Sequence, residues 1–117
     1  MNANVKRGAV LVGAMLMLST VSVLFTAASL VGQERDARAT RGEQVFVSQG
    51  CYGCHLIGKF GTPIGPELSR VGAKYEASYL RQWLRDPESV RPTAHMPKLE
   101  LSPEEIDALA VYLSLLK

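Results

Sequence analysis

At 117 residues the chain has room for one domain and a short addition. Of its 13 basic residues, Lys6 and Arg7 precede a long uncharged run, which leaves 11 basic against 11 acidic residues from Gln33 to Lys117. A domain balanced in this way excludes strong electrostatic capture of nucleic acid.

The run from Gly8 to Gly32 is 25 residues long and rich in Leu, Val, Ala and Met. As a helix it would extend about 37 Å, enough to span a bilayer with some tilt. A cleavable signal peptide competes, with Thr26-Ala27-Ala28 as its cut site. Such peptides carry apolar cores of only about 7–15 residues, so an uncleaved anchor is the expectation. Lys6 and Arg7 then keep the N-terminus cytoplasmic. The rest of the chain faces the periplasm or exterior, as a single-pass protein of a bacterial inner membrane. Residues 1–32 are thus read as tip and anchor, 33–39 as linker and 40–117 as the exported domain.

Gln33 to Ala39 is polar and charged, and fully extended it would reach about 23 Å. A tether that short keeps the domain near the membrane surface. Thr40-Arg41-Gly42-Glu43 matches a capping box, predicting a helix from Thr40 to about Ser48 with Gly50 as its stop. Val45 and Phe46 offer apolar contacts, and Gly42 permits close approach of another helix.

Leu56 to Gly72 is predicted as loop, because glycine and proline recur throughout it. A helix is predicted over Ala77 to Arg85, with Tyr79, Leu80, Trp83 and Leu84 on one face and Pro87 ending it. Pro92 and Pro97 stiffen the loop that carries His95 and Met96. In the last helix Ser102 is the cap, Pro103 takes the first turn and Glu105 completes a capping box. Ile106, Leu109, Ala110, Leu113 and Leu116 form its buried face. From Lys59 to Lys98 there are seven bases and four acids, and from Glu100 to Asp107 four acids and no base. That asymmetry reads either as a basic docking face for an acidic partner or as ordinary solvated charge.

Chemistry concentrates in Cys51-Tyr52-Gly53-Cys54-His55, which holds both cysteines and one of the two histidines. Two thiols at this spacing followed by histidine form the attachment signature of a c-type haem. Each thiol can form a thioether with one vinyl group, and His55 then lies close enough to ligate the iron. A thioredoxin-like site would need alternating strands around it. A structural zinc site would need a second, well-separated ligand pair. A Cys51–Cys54 disulfide would close a very small loop with little stabilising value. An exported domain of about 80 residues is also small for a self-sufficient core, and a bound haem would supply apolar bulk.

Met96 is the expected second axial ligand. The other methionines are Met1 at the start of the chain and Met15 and Met17 within the apolar run. His/Met ligation raises the haem potential and suits electron exchange. His95 is the competing ligand, and a gap-filling role is the bland reading of Met96. With both axial positions filled, substrate chemistry at the iron is not expected. No nucleophile beside a base and no suggestive carboxylate pair occurs either. The chain is therefore read as an electron-transfer protein or a non-catalytic subunit of an oxidoreductase complex.

From about Ala39 to Lys117 the chain resembles class I c-type cytochromes. The resemblance rests on CYGCH, the Gly42/Phe46 pair before it, the loop Gly65-Pro66-Glu67-Leu68, the Met96-Pro97 element, and Leu109 with Tyr112 in the last helix. It implies an all-α class I cytochrome c fold, three to five helices around one covalent haem c, here preceded by one transmembrane helix. It implies that Leu109 and Tyr112 pack on the first helix at Gly42 and Phe46, and that the Pro66 carbonyl accepts a hydrogen bond from His55. It suggests that Trp83 reaches a haem propionate, with plain core as the other reading. The anchor and the segment Tyr79 to Pro87 look most like cytochrome c parts of haem–copper oxidases, nitric oxide reductases and cytochrome bc-type complexes. The implied function is a relay subunit of a respiratory or photosynthetic complex, whose partners are redox proteins and the lipid bilayer. A free membrane-tethered carrier is the alternative. A haem-based gas or redox sensor would need an output domain.

Overall fold

In the computed structural model the residues described are 29–117. The chain divides into two compact units, Met1–Glu34 and Arg35–Lys117. The predicted anchor and its flanking Lys6 and Arg7 lie outside the described residues, apart from the helical, exposed positions 29–32. Among the described residues no helix is long and apolar enough to cross a membrane.

The first described helix, α1, covers 29–48, so the predicted start at Thr40 is wrong. Thr40 sits inside the helix, where its hydroxyl donates to the Asp36 carbonyl one turn back at 3.0 Å instead of capping. The stretch read as a linker is rich in Gln, Glu, Arg and Ala, all good helix formers. Its polarity hid that propensity. α1 ends as expected: Gly50 adopts a left-handed φ of 70°, and its N–H bonds the Val47 carbonyl at 3.1 Å.

A 3-10 turn follows over Cys51–Gly53. The stretch predicted as loop contains a small antiparallel hairpin, β1 (Leu56–Ile57) with β2 (Phe60–Gly61), in which Ile57 faces Phe60. Gly58 takes a φ of 62° at the first position of its two-residue connection, the place where such hairpins ask for glycine. Two residues per strand leave no alternation to read in the sequence. The remaining helices are α2 (Val71–Lys74), α3 (Ala77–Arg85), α4 (Pro87–Val90) and α5 (Pro103–Leu115). α3 has the predicted bounds. Pro87 both stops it and opens α4, where the Asp86 carboxylate accepts from the Ser89 N–H at 3.2 Å.

α5 is the hub. Its capping box is complete: the Ser102 hydroxyl accepts from the Glu105 N–H at 3.2 Å, and the Glu105 carboxylate accepts from the Ser102 N–H at 2.9 Å. Ile106, Leu109, Ala110 and Leu113 join Val45 and Phe46 of α1, Val71 of α2, and Leu80 and Leu84 of α3 in one core. Leu116 packs against that core half-buried. α1 crosses α5 at Gly42, where a Cβ would overlap the Ala108 carbonyl oxygen and sit 2.6 Å from the Tyr112 Cβ. Phe46 meets the Tyr112 ring at a centroid separation of 5.9 Å. Arg81 of α3 bonds Asp107 of α5 at 2.6 Å, and Arg38 of α1 reaches the same carboxylate at 3.6 Å. Three helices are thereby tied at one half-buried corner.

Candidate haem site

The CYGCH motif is shaped by backbone. The Gly53 N–H bonds the Gly50 carbonyl at 2.8 Å, and the N–H groups of Cys54 and His55 both reach the Cys51 carbonyl, at 3.2 and 3.0 Å. Both cysteines are free thiols; Cys51 is half-buried and Cys54 exposed. Burial pushes the Cys51 thiol above its ordinary pKa, so it stays protonated near neutrality. Tyr52 packs edge-on against Phe46 at 4.8 Å, which anchors the motif to α1.

The loop 61–68 wraps the histidine. The Gly65 N–H bonds the Cys54 carbonyl at 2.6 Å, and the Leu68 N–H bonds the Leu56 carbonyl at 2.8 Å. His55 Nδ1 lies 2.7 Å from the Pro66 carbonyl oxygen. A carbonyl can only accept, so Nδ1 carries a proton, and in the neutral ring the lone pair is then on Nε2. That is the tautomer a metal-ligating histidine needs. Two glycines make the fit possible, and the sequence reading assigned neither a role. A Cβ on Gly65 would stand 2.7 Å from the His55 Cε1, and one on Gly61 would overlap the His55 carbonyl oxygen. The sequence signal for Gly65 is its place in the Gly65-Pro66-Glu67-Leu68 loop, one of the motifs that carry the resemblance.

Met96 is half-buried against the core that Cys51 and Leu68 also border. The indole N–H of Trp83 donates to the Met96 Sδ at 3.1 Å. Trp83 is half-buried, flanked by Tyr79 at 6.4 Å in a stacked geometry, with Tyr75 stacked beyond that at 4.6 Å. The predicted α3 face thus divides: Leu80 and Leu84 enter the core, while Tyr79 and Trp83 form an aromatic column beside it. His95, the competing ligand, is exposed.

The donor set fits an iron porphyrin in its chemistry. His55 offers one free ring nitrogen, because the other nitrogen is occupied by Pro66. A thioether has two lone pairs, so with Trp83 on one the Met96 sulfur still offers another. Among the described residues no three His, Cys, Asp or Glu side chains converge as a metal-ion site.

Charged groups around the site are held by local hydrogen bonds. The Glu67 carboxyl is pulled below its ordinary value by bonds from Ser69, and that of Asp86 by the Ser89 N–H, with Lys98 adding at 3.4 Å. Burial pushes the Tyr112 phenol up to about 12, with Tyr52 and Glu43 adding to the shift.

A mostly helical domain that presents CYGCH beside a Gly-Pro loop, with a methionine strap following, defines a class I c-type cytochrome. The sequence signature described as cytochrome c matches residues 39–117, and the chain belongs to the cytochrome c family. Members of this family hold haem c covalently and carry electrons. Cytochrome c oxidase subunit 2 of Alkalihalophilus pseudofirmus is 35% identical over 96 residues, covering 74% of this chain and 28% of the relative. The subunit of the same name from Bacillus sp. strain PS3 is 34% identical over 101 residues, covering 70% and 27%. A nitric oxide reductase subunit from Stutzerimonas stutzeri is 28% identical over 86 residues, covering 68% and 59%. The chain thus spans just over a quarter of the length of the two oxidase subunits.

Proposed function

We propose that this chain is a membrane-anchored monohaem c-type cytochrome that passes single electrons as a relay subunit of a respiratory electron-transfer complex. The observation that carries the reading is the 2.7 Å contact of His55 Nδ1 with the Pro66 carbonyl, which leaves Nε2 free for iron. Cys51 and Cys54 would hold one haem c through thioether bonds, with His55 and Met96 as axial ligands. The bound haem supplies a one-electron couple. Pro66 orients the histidine ring and fixes which nitrogen faces away from it. Gly61 and Gly65 allow the loop to close on that ring, and Trp83 holds the Met96 sulfur. With His55 and Met96 both bound to iron, no open position would remain for a substrate, which supports electron transfer over catalysis.

The relatives named for cytochrome c oxidase and nitric oxide reductase support a host complex of the respiratory kind. The uncharged run after Lys6 and Arg7 supports an anchor over 1–32 in a bacterial inner membrane, with 33–39 as connector and 40–117 as a periplasmic haem domain.

A membrane extract in mild detergent, run on a native gel and stained for haem-linked peroxidase activity, tests this. The 12.7 kDa haem protein should migrate within a large assembly whose other bands belong to an oxidoreductase. Migration alone would make it a free tethered carrier. Mass spectrometry of the excised band should show one haem adduct on the Cys51–Cys54 peptide, and an unmodified peptide would sink the reading.

A further inference from the structure

Met96 sits on a strap, residues 91–101, whose backbone hydrogen bonds stay local: Arg91 to Pro87, Ala94 to Arg91 and Leu101 to Leu99. Side chains connect it to α3. The Arg91 guanidinium lies 5.9 Å from the centroid of the Trp83 ring, within cation–π range. The indole N–H of the same ring points at the Met96 sulfur at 3.1 Å. One strap residue therefore sits over the π-face of Trp83 while another receives its only side-chain donor.

We propose that Arg91 and Trp83 act as one unit that sets how strongly Met96 donates to iron. This rests on the reading of Met96 as an axial ligand. Arginine keeps its charge at all relevant pH values. A fixed cation over the indole draws electron density toward itself and leaves the N–H more positive, hence a stronger donor. That N–H in turn draws density from one sulfur lone pair, so the other donates less. Ferric iron depends on donation more than ferrous iron does. The pair therefore favours the ferrous state and raises the potential. Trp83 and Arg91 are positioning residues, acting on iron only through Met96.

The test uses the full-length holoprotein in detergent, with redox titration and imidazole binding to the ferric form as readouts. Trp83→Phe keeps the ring and removes the N–H. It should shift the ferric-to-ferrous ratio at fixed poise up to about tenfold toward ferric, the loss of one hydrogen bond. For a one-electron couple that limit is about 59 mV. Imidazole should then displace Met96 less readily, by about the same factor. Arg91→Gln should move both readouts in the same direction by about threefold, and Arg91→Lys should restore most of the change. In the Trp83→Phe background, Arg91→Gln should add nothing.

Three results would overturn the proposal. One is an unchanged ratio in Trp83→Phe. Another is easier imidazole entry in that variant, which would make Trp83 mere packing. The third is an Arg91→Gln effect of equal size with and without the indole N–H, which is direct through-space charge. Met96→Ala separates this failure from failure of the underlying reading. If that variant keeps the wild-type sulfur-to-iron charge-transfer band, Met96 is no ligand and both readings fall together.

Discussion

The two sides of the candidate site are built by different means. The His55 side is held by main-chain hydrogen bonds across residues 50–68, and glycines leave room where a side chain would collide. The Met96 side is held by side chains: Arg91 over Trp83, Trp83 on the sulfur, and Lys98 on Asp86 at 3.4 Å. Backbone contacts over short separations fix His55 rigidly. Long side-chain contacts hold Met96 in a way that single substitutions can adjust. The geometry fits a division of labour between a rigid His55 half and a tunable Met96 half.

The largest expected effect falls on the backbone half. Gly65→Val should abolish haem attachment in membranes stained for haem, because even a Cβ there stands 2.7 Å from the His55 ring. The Met96→Ala variant should still attach haem, since the motif does not depend on the strap. If both variants lose haem equally, the proposed division fails.

Leu109, 1% exposed, lies in the core that both halves share. Leu109→Ala should cost about 2–5 kcal/mol in denaturant unfolding. It should weaken both halves together, and selective loss of one would show that they unfold as separate units.

Tyr112 offers a pH test of the packing beneath the motif. Its phenol is raised in the folded state from 10.0 to about 12. The folded chain then holds a proton that the unfolded chain has released, so stability is intact below pH 10 and falls as pH rises toward 12. Allowing for solvent screening at a group this exposed, the loss is about 1 kcal/mol. Urea unfolding at pH 9 and pH 12 should show it in the wild type and not in Tyr112→Phe.

The smallest effect belongs to the strap's outer contact. Lys98→Gln removes an exposed ion pair with Asp86 and should lower the unfolding midpoint only slightly, an effect that vanishes at high salt. A larger or salt-independent loss would mean that the strap depends on this contact more than its exposure suggests.

The sequence by itself determined the chemistry and the strongest local signals. CYGCH, the one methionine beyond the apolar run, α3 from Ala77 to Arg85 and the Ser102–Glu105 box of α5 are all set within a few residues, so spacing and capping reveal them. Where local signals conflicted, the reading failed. Thr40 looked like a cap but lies within α1, because a capping motif cannot show whether the helix has already begun. The hairpin at 56–61 was too short to carry a period. Only the tertiary structure decided the long-range partners: Asp107 joining Arg38 and Arg81, Gly65 against His55, and Trp83 on the Met96 sulfur rather than in the core alone. Helical periodicity places Trp83 and Leu84 on one face. Which of them enters the core and which turns to Met96 depends on the strap arriving from 13 residues away, a contact that no local pattern encodes.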